Sequence, residues 1–289
     1  MLFSGHITYA QKEINLYDGK VPNSIPQVDS EYTDNYKAVF KVSIPKLYVF
    51  LPTDTNKTGT AVIICPGGGY YGIVMQQEGY QTAEYYAKHG VTAFVLKYRI
   101  PNDSYIKDKS IAPLQDAQQA MKWVREHAAE YSVRPDHIGV MGFSAGGHLA
   151  AMVSTHFSES YIPNPDHTSL RPDFTILIYP VISMTDQIGH IGSRDNILGK
   201  NPSKEKIDFF SNELHVTADS PPCLLIHTAF DKIVPVINSI VYFEALQKNK
   251  VPVQMHLLQN GDHGFVVTTP IQEWMCYCFD WLNINKMLK

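Results

Sequence analysis

The chain has 289 residues, of which 44% are hydrophobic and 18% charged, ordinary proportions for globular material and enough length for one large α/β domain with a sizeable core. Its net charge of −4 comes without any long run of like charge, which argues against nucleic acid or an anionic membrane surface as a partner. The start, Met1-Leu2-Phe3-Ser4, carries no basic leader and no stretch approaches the roughly 18 apolar residues of a membrane span, so a soluble, non-exported, cytoplasmic protein with small-molecule partners is expected.

In chain order, residues 1–45 mix polar, Gly and Pro positions and predict an irregular lead-in. Alternation over 39–44 and a second run at 47–51 predict antiparallel edge strands. From there short apolar runs alternate with amphipathic stretches, the pattern of βαβ construction around a mostly parallel sheet with helices on both faces. The predicted buried strands are 61–65, 92–96, 138–142, 174–179, 223–227 and 253–258, and the predicted helices 76–89, 111–131, 145–156, 236–249 and 271–285. Residues 181–220 break this rhythm with Gly, Asn, Pro and charges around a short amphipathic piece at 204–213, which predicts a small cap insert within a single domain spanning 1–289. Cys65 and Cys223 fall in strand candidates, Cys276 and Cys278 in the last helix candidate. All four read as reduced structural residues, since a Cys-x-Cys pair alone lacks the other ligands a zinc site needs.

Gly142-Phe143-Ser144-Ala145-Gly146 fits the pattern G-x-S-x-G, weak by itself and strengthened by context. A predicted strand precedes it and a helix dense in small residues follows, the setting in which a tight turn presents a serine hydroxyl as a nucleophile. Such a hydroxyl needs a base, and the base needs an orienting carboxylate. Asp231 lies just after strand 223–227 and His263 just after strand 253–258, at the sheet edge where open α/β folds bind ligands. Among the twelve histidines, His148 reads as packing or hydrogen-bonding near the helix start and His227 as a satisfied core residue. Asp262 is too close in sequence to His263 to orient its ring, and Asp186 is a weaker rival to Asp231. Attack on an ester carbonyl creates an oxyanion that preorganised N–H groups must stabilise. Pro66-Gly67-Gly68-Gly69-Tyr70 follows a strand and resembles a glycine-rich oxyanion loop, so the donors are assigned to the Ala145 N–H and to Gly68 or Gly69.

These segments, with 93–99 and Asp262-His263-Gly264-Phe265, resemble the small acetyl esterases and acetylxylan-esterase-like members of the α/β-hydrolase superfamily, from about residue 47 onward. The resemblance implies an α/β-hydrolase fold and release of a short acyl group, acetyl above all, from a sugar or similar alcohol, without metal or organic cofactor. It maps the triad onto Ser144, Asp231 and His263 and the oxyanion loop onto residues 67–69. The acid loop departs from the family pattern, with Thr228-Ala229-Phe230-Asp231 where a His-Gly-x-x-Asp-like run is common. An amide or formamide hydrolase on the same residues and a non-catalytic small-ligand binder are the alternatives, and a homo-oligomer is compatible with the sequence.

Overall fold

The structure is a computed structural model that describes residues 11–288, so the first ten residues of the expected lead-in lie outside the described residues. The chain runs through β1 (Gln11–Asn15), β2 (Tyr32–Thr33), β3 (Ala38–Phe40), β4 (Lys46–Phe50), β5 (Ala61–Cys65) and β6 (Gly72–Val74). A π-helical segment (Met75–Gln81) then runs into α1 (Thr82–Lys88), followed by β7 (Thr92–Lys97), α2 (Ala112–Glu126), β8 (Ile138–Phe143), α3 (Ser144–Thr155) and β9 (Thr175–Ile178). After β9 come α4 (Ile191–Leu198), α5 (Lys204–Phe209), β10 (Cys223–Thr228), α6 (Ile237–Lys248), β11 (Val253–Leu258) and α7 (Ile271–Ile284).

Eight strands form one sheet in the order β1-β4-β7-β5-β8-β9-β10-β11. The β1/β4 and β4/β7 pairs are antiparallel, and every pair from β7/β5 to β10/β11 is parallel. Strands β5, β7, β8, β9 and β10 are buried along their whole length, which their unbroken apolar runs require, because both faces of a parallel sheet are covered. β11 closes the sheet and is only partly buried. All four cysteines are free thiols. No helix among the described residues is long and apolar enough to cross a membrane.

Three expectations change. Within the stretch read as irregular, Gln11–Asn15 forms an edge strand pairing Glu13 with Tyr48 and Ile14 with Leu47, so β4 lies inside the sheet and not at its edge. The run at 39–44 contributes only its first residues, to β3, because Lys41 adopts a φ of 55°. That turn sends Val42 into the core and leaves Ile44 exposed. β3 pairs instead with β2 and β6 in a separate three-stranded antiparallel sheet. Between β9 and β10, the helix α4 adds to the short helical piece foreseen near residue 204.

The loops leaving β5, β8, β10 and β11 all start at the carboxyl ends of parallel strands, hence at one edge of the sheet. There the candidate residues meet.

Candidate active site

β8 ends at Phe143, and Ser144, the first residue of α3, takes a φ of 51°. A non-glycine residue in this left-handed region carries backbone strain, which the surrounding packing must enforce. The packing is visible at Gly146, where a Cβ would collide with the carbonyl oxygens of Cys65 and Pro66, so the helix start lies directly on the end of β5. The sharp turn holds the Ser144 side chain at the mouth of the sheet, and the Ala145 N–H follows at the amino end of a twelve-residue helix, where backbone donors and the helix dipole favour negative charge.

Across from it, His263 Nε2 stands 2.8 Å from Ser144 Oγ, and His263 Nδ1 stands 2.8 Å from Asp231 Oδ2. A carboxylate only accepts, so Nδ1 carries the proton and Nε2 is left to accept from the serine hydroxyl. Asp231 is buried, and its other oxygen accepts the N–H groups of Ile233 (2.9 Å) and Val234 (2.8 Å). Burial pushes its carboxyl up, but hydrogen bonds from His227 and His263, the neighbouring imidazole charge and the Val234 N–H outweigh this and hold it well below the usual carboxylate range.

The glycine loop approaches from β5. Gly68 and Gly69 adopt φ of 131° and 65°, and the Gly68 carbonyl accepts the N–H groups of Tyr71 (3.0 Å) and Gly72 (3.1 Å), closing a tight turn. The N–H groups of Gly68 and Gly69 have no acceptor among the described residues, whereas that of Gly67 donates to Glu78 Oε2 at 2.6 Å. Asn196 of α4 donates to the Gly69 carbonyl at 2.8 Å, so the insert between β9 and β10 touches this loop.

The rival residues have other partners. Asp262 is exposed and accepts the N–H groups of Lys232 (2.9 Å) and His263 (2.8 Å), tying the loops after β10 and β11 together without meeting the imidazole. Asp186 is exposed and paired with Arg194. His148 is fully buried, 2.8 Å from the Tyr70 hydroxyl through Nδ1 and 2.8 Å from the Phe210 carbonyl through Nε2.

His227, Glu78 and Tyr179 belong to the site although the sequence did not single them out for it. His227 Nε2 lies 3.2 Å from Asp231 Oδ2 and 3.1 Å from the Val234 carbonyl, and its Nδ1 lies 2.8 Å from Ser239 Oγ. The two acceptors at Nε2 fix the proton there, so Nδ1 accepts from the serine. A signal was available, since His227 stands four residues before Asp231, the place of the histidine in a His-Gly-x-x-Asp-like run. Tyr179, at a φ of 38°, sets its ring edge-on to His263 with centroids 4.9 Å apart and donates its hydroxyl to Glu78 at 2.9 Å.

A serine raised on a strand-to-helix turn, with its partners at two later strand ends of this mostly parallel sheet, defines the α/β-hydrolase fold. The chain belongs to the BD-FAE family, whose model matches residues 47–246. It is 36% identical to the acetylxylan esterase of Xylanibacter ruminicola over 224 residues, 76% of this chain and 43% of that one. It is 34% identical to endo-1,4-beta-xylanase B of Butyrivibrio fibrisolvens over 241 residues, 83% of this chain and 37% of that one. The chain therefore spans about two-fifths of the length of these two relatives. Among solved structures, the acetyl ester-xyloside bifunctional hydrolase of Caldicellulosiruptor lactoaceticus matches with a TM-score of 0.80 at 33% identity, over 96% of this chain and 97% of that one. Thermogutta terrifontis esterase 2, solved with propionate bound, matches with a TM-score of 0.72 at 26% identity, over 91% and 97%.

Proposed function

We propose that this protein is a serine esterase that removes short acyl groups, acetyl above all, from sugars or similar alcohols, with Ser144 as nucleophile, His263 as base and Asp231 as the acid that orients it. The observation that carries the reading is the unbroken chain of hydrogen bonds from Ser144 through His263 to Asp231. The names of its relatives, an acetylxylan esterase and an acetyl ester-xyloside hydrolase, support acetylated sugar as the substrate class.

In the first step Ser144 Oγ attacks the ester carbonyl carbon while its proton passes to His263 Nε2. The carbonyl oxygen becomes an oxyanion, met by the Ala145 N–H at the start of α3 and by that of Gly68 or Gly69, two groups with no acceptor among the described residues. Collapse of the tetrahedral species breaks the bond to the alcohol, which leaves with the proton from His263. Water then gives its proton to the same nitrogen as it attacks the acyl-enzyme, and the second collapse releases the acid and restores the Ser144 hydroxyl. Asp231, ionised throughout, keeps the proton on Nδ1 and stabilises the imidazolium. Residues 181–220 act as a cap over this centre, a role supported by the Asn196 bond to Gly69 and the His148 bond to Phe210.

Replacing Ser144 by Ala is expected to leave the fold intact and to cut acetate release from acetylated xylo-oligosaccharides by ~10⁴ or more. Acetate release at the wild-type rate by that variant removes the mechanism. A wild-type enzyme that cleaves formamides and leaves acetyl esters untouched removes the substrate class and keeps the machinery.

A further inference from the structure

Glu78 is a carboxylate sealed inside the protein, 5% exposed, on the π-helical segment after β6. A buried carboxyl survives only where donors meet it, and removing one partner of such a bond costs more than the bond contributes. Two donors meet this one. Oε2 accepts the Gly67 N–H at 2.6 Å, and Oε1 accepts the Tyr179 hydroxyl at 2.9 Å. The two donors come from different parts of the reaction centre. Gly67 opens the loop whose next two N–H groups have no acceptor among the described residues, and the Tyr179 ring is the edge-on neighbour of His263. Glu78 Oε2 and Ser144 Cβ lie 2.9 and 3.0 Å from the point where a Cβ on Gly67 would sit, so the carboxylate fills the space that only a glycine leaves behind the serine.

We infer that Glu78 is a positioning residue for the esterase reaction, one carboxylate that locks the oxyanion loop to Ser144 and, through Tyr179, braces the face of His263. The inference rests on the mechanism proposed above. Its physical content is selective use of donors. By holding the Gly67 N–H, Glu78 withdraws that group from the substrate and fixes the peptide planes that aim Gly68 and Gly69. Tyr179 has its own hydroxyl spent on Glu78, so its ring cannot swing away and His263 keeps the orientation in which Nε2 faces Ser144. Neither residue makes a hydrogen bond to Ser144 Oγ or His263 Nε2. Their effect falls on the transition state, where the oxyanion and the imidazolium exist, and not on substrate binding.

The test compares Glu78→Ala, Glu78→Gln and Tyr179→Phe on an acetyl ester, with rates divided by the fraction of Ser144 that a fluorophosphonate labels to completion, so that misfolded protein drops out. Glu78→Ala is expected to lower kcat about 10²-fold, the scale of losing one oxyanion donor, with KM within about threefold of wild type, and to slow fluorophosphonate labelling in parallel. Glu78→Gln can still accept from Gly67 and offer its NH₂ to the Tyr179 oxygen, so it is expected to stay within about tenfold of wild type. Tyr179→Phe keeps the ring and loses the bond, and an intermediate kcat is expected. Wild-type kcat per labelled serine in Glu78→Ala, a loss confined to KM, or a Gln variant as slow as Ala each overturns the inference. Wild-type kcat in Tyr179→Phe overturns its arm to His263. If Glu78→Ala does not fold, Gln and Phe decide: an active Gln variant with a slow Phe variant supports the inference, and wild-type kcat in both overturns it. Turnover surviving in Ser144→Ala would strike the mechanism itself, a separate result from any of these.

Discussion

Asp231 Oδ2 is shared by two histidines, His263 at 2.8 Å and His227 at 3.2 Å. In the proposed mechanism His263 gains and loses a proton at its far nitrogen, so its bond to Asp231 must keep its direction through the cycle. His227, held by Ser239 on one side and by the Val234 carbonyl on the other, adds a second hydrogen bond that pins the carboxylate. Replacing His227 by Leu removes a hydrogen bond to a charged acceptor and strands the Ser239 hydroxyl. Turnover is expected to fall about tenfold, equivalent to about 1.4 kcal/mol, with KM unchanged, as steady-state kinetics on an acetyl ester will measure. Unchanged turnover would reduce His227 to packing. Ser144, Asp231 and His263 are legible in the sequence because each follows a recognisable strand. Glu78 and Tyr179 are not, because a glutamate on a helical stretch and a tyrosine at a strand end look like ordinary structure until the third dimension brings donors to acceptors.

At the scale of elements, a buried ion pair adds to the β1/β4 pairing in holding the lead-in to the sheet. Arg99, just past β7, meets Asp116 of α2 with Nη2 at 2.8 Å and Nε at 2.9 and 3.0 Å, both side chains fully buried. Tyr17 donates to the same carboxylate at 2.9 Å, and Arg99 Nη1 reaches the Pro22 carbonyl at 2.6 Å. Asp116→Asn leaves the guanidinium buried without its counter-charge and is expected to cost about 3–5 kcal/mol of stability. Urea denaturation reads that loss, while kcat of the folded fraction stays near wild type because the pair lies outside the hydrogen-bonded site. A loss below about 1 kcal/mol would mean that water reaches the pair. The central strands and crossover helices were legible because buried parallel strands leave unbroken apolar runs. β1 was not, since Gln-Lys-Glu-Ile-Asn forms a largely exposed edge with no alternation to read. β6 is three residues long and follows the glycines, and its strand character comes from its pairing with β3, which no local pattern announces. α4 escaped notice between Gly189 and Gly199, where its polar residues, Ser193, Arg194 and Asn196, face partners in the loops and not solvent alone.

Across the whole molecule, α3, the glycine loop after β5 and the insert between β9 and β10 are joined at His148, and this junction ties stability to pH. The ring accepts from Tyr70 and donates to the Phe210 carbonyl, a neutral arrangement at a fully buried position. Burial lowers its pKa to about 4, with the Phe210 carbonyl pulling it up and nearby His156 pushing it down. His156, buried next to His215, is likewise lowered to about 4. In the unfolded chain a histidine titrates near pH 6.5, so between pH 6.5 and 4 the unfolded state binds protons that the folded state refuses. Stability from this source is therefore complete above neutrality and is lost as pH falls, by about 2 kcal/mol per residue between pH 7 and pH 5. Asp231, whose carboxyl is held low, contributes stability that disappears only below the ordinary carboxylate range, outside that window. Glu78 and Glu213, raised by burial, act in the opposite sense, since the folded state takes up their protons first as pH falls. Because these carboxyls offset part of the total, the informative quantity is a difference between variants. His148→Gln can keep one bond to Phe210 and one to Tyr70 without titrating. Urea unfolding of both proteins at pH 7 and pH 5 should show the wild type losing about 2 kcal/mol more than the variant on acidification. Equal losses in the two proteins would mean that His148 is already protonated in the fold, or that water enters the junction and hydrates its charge.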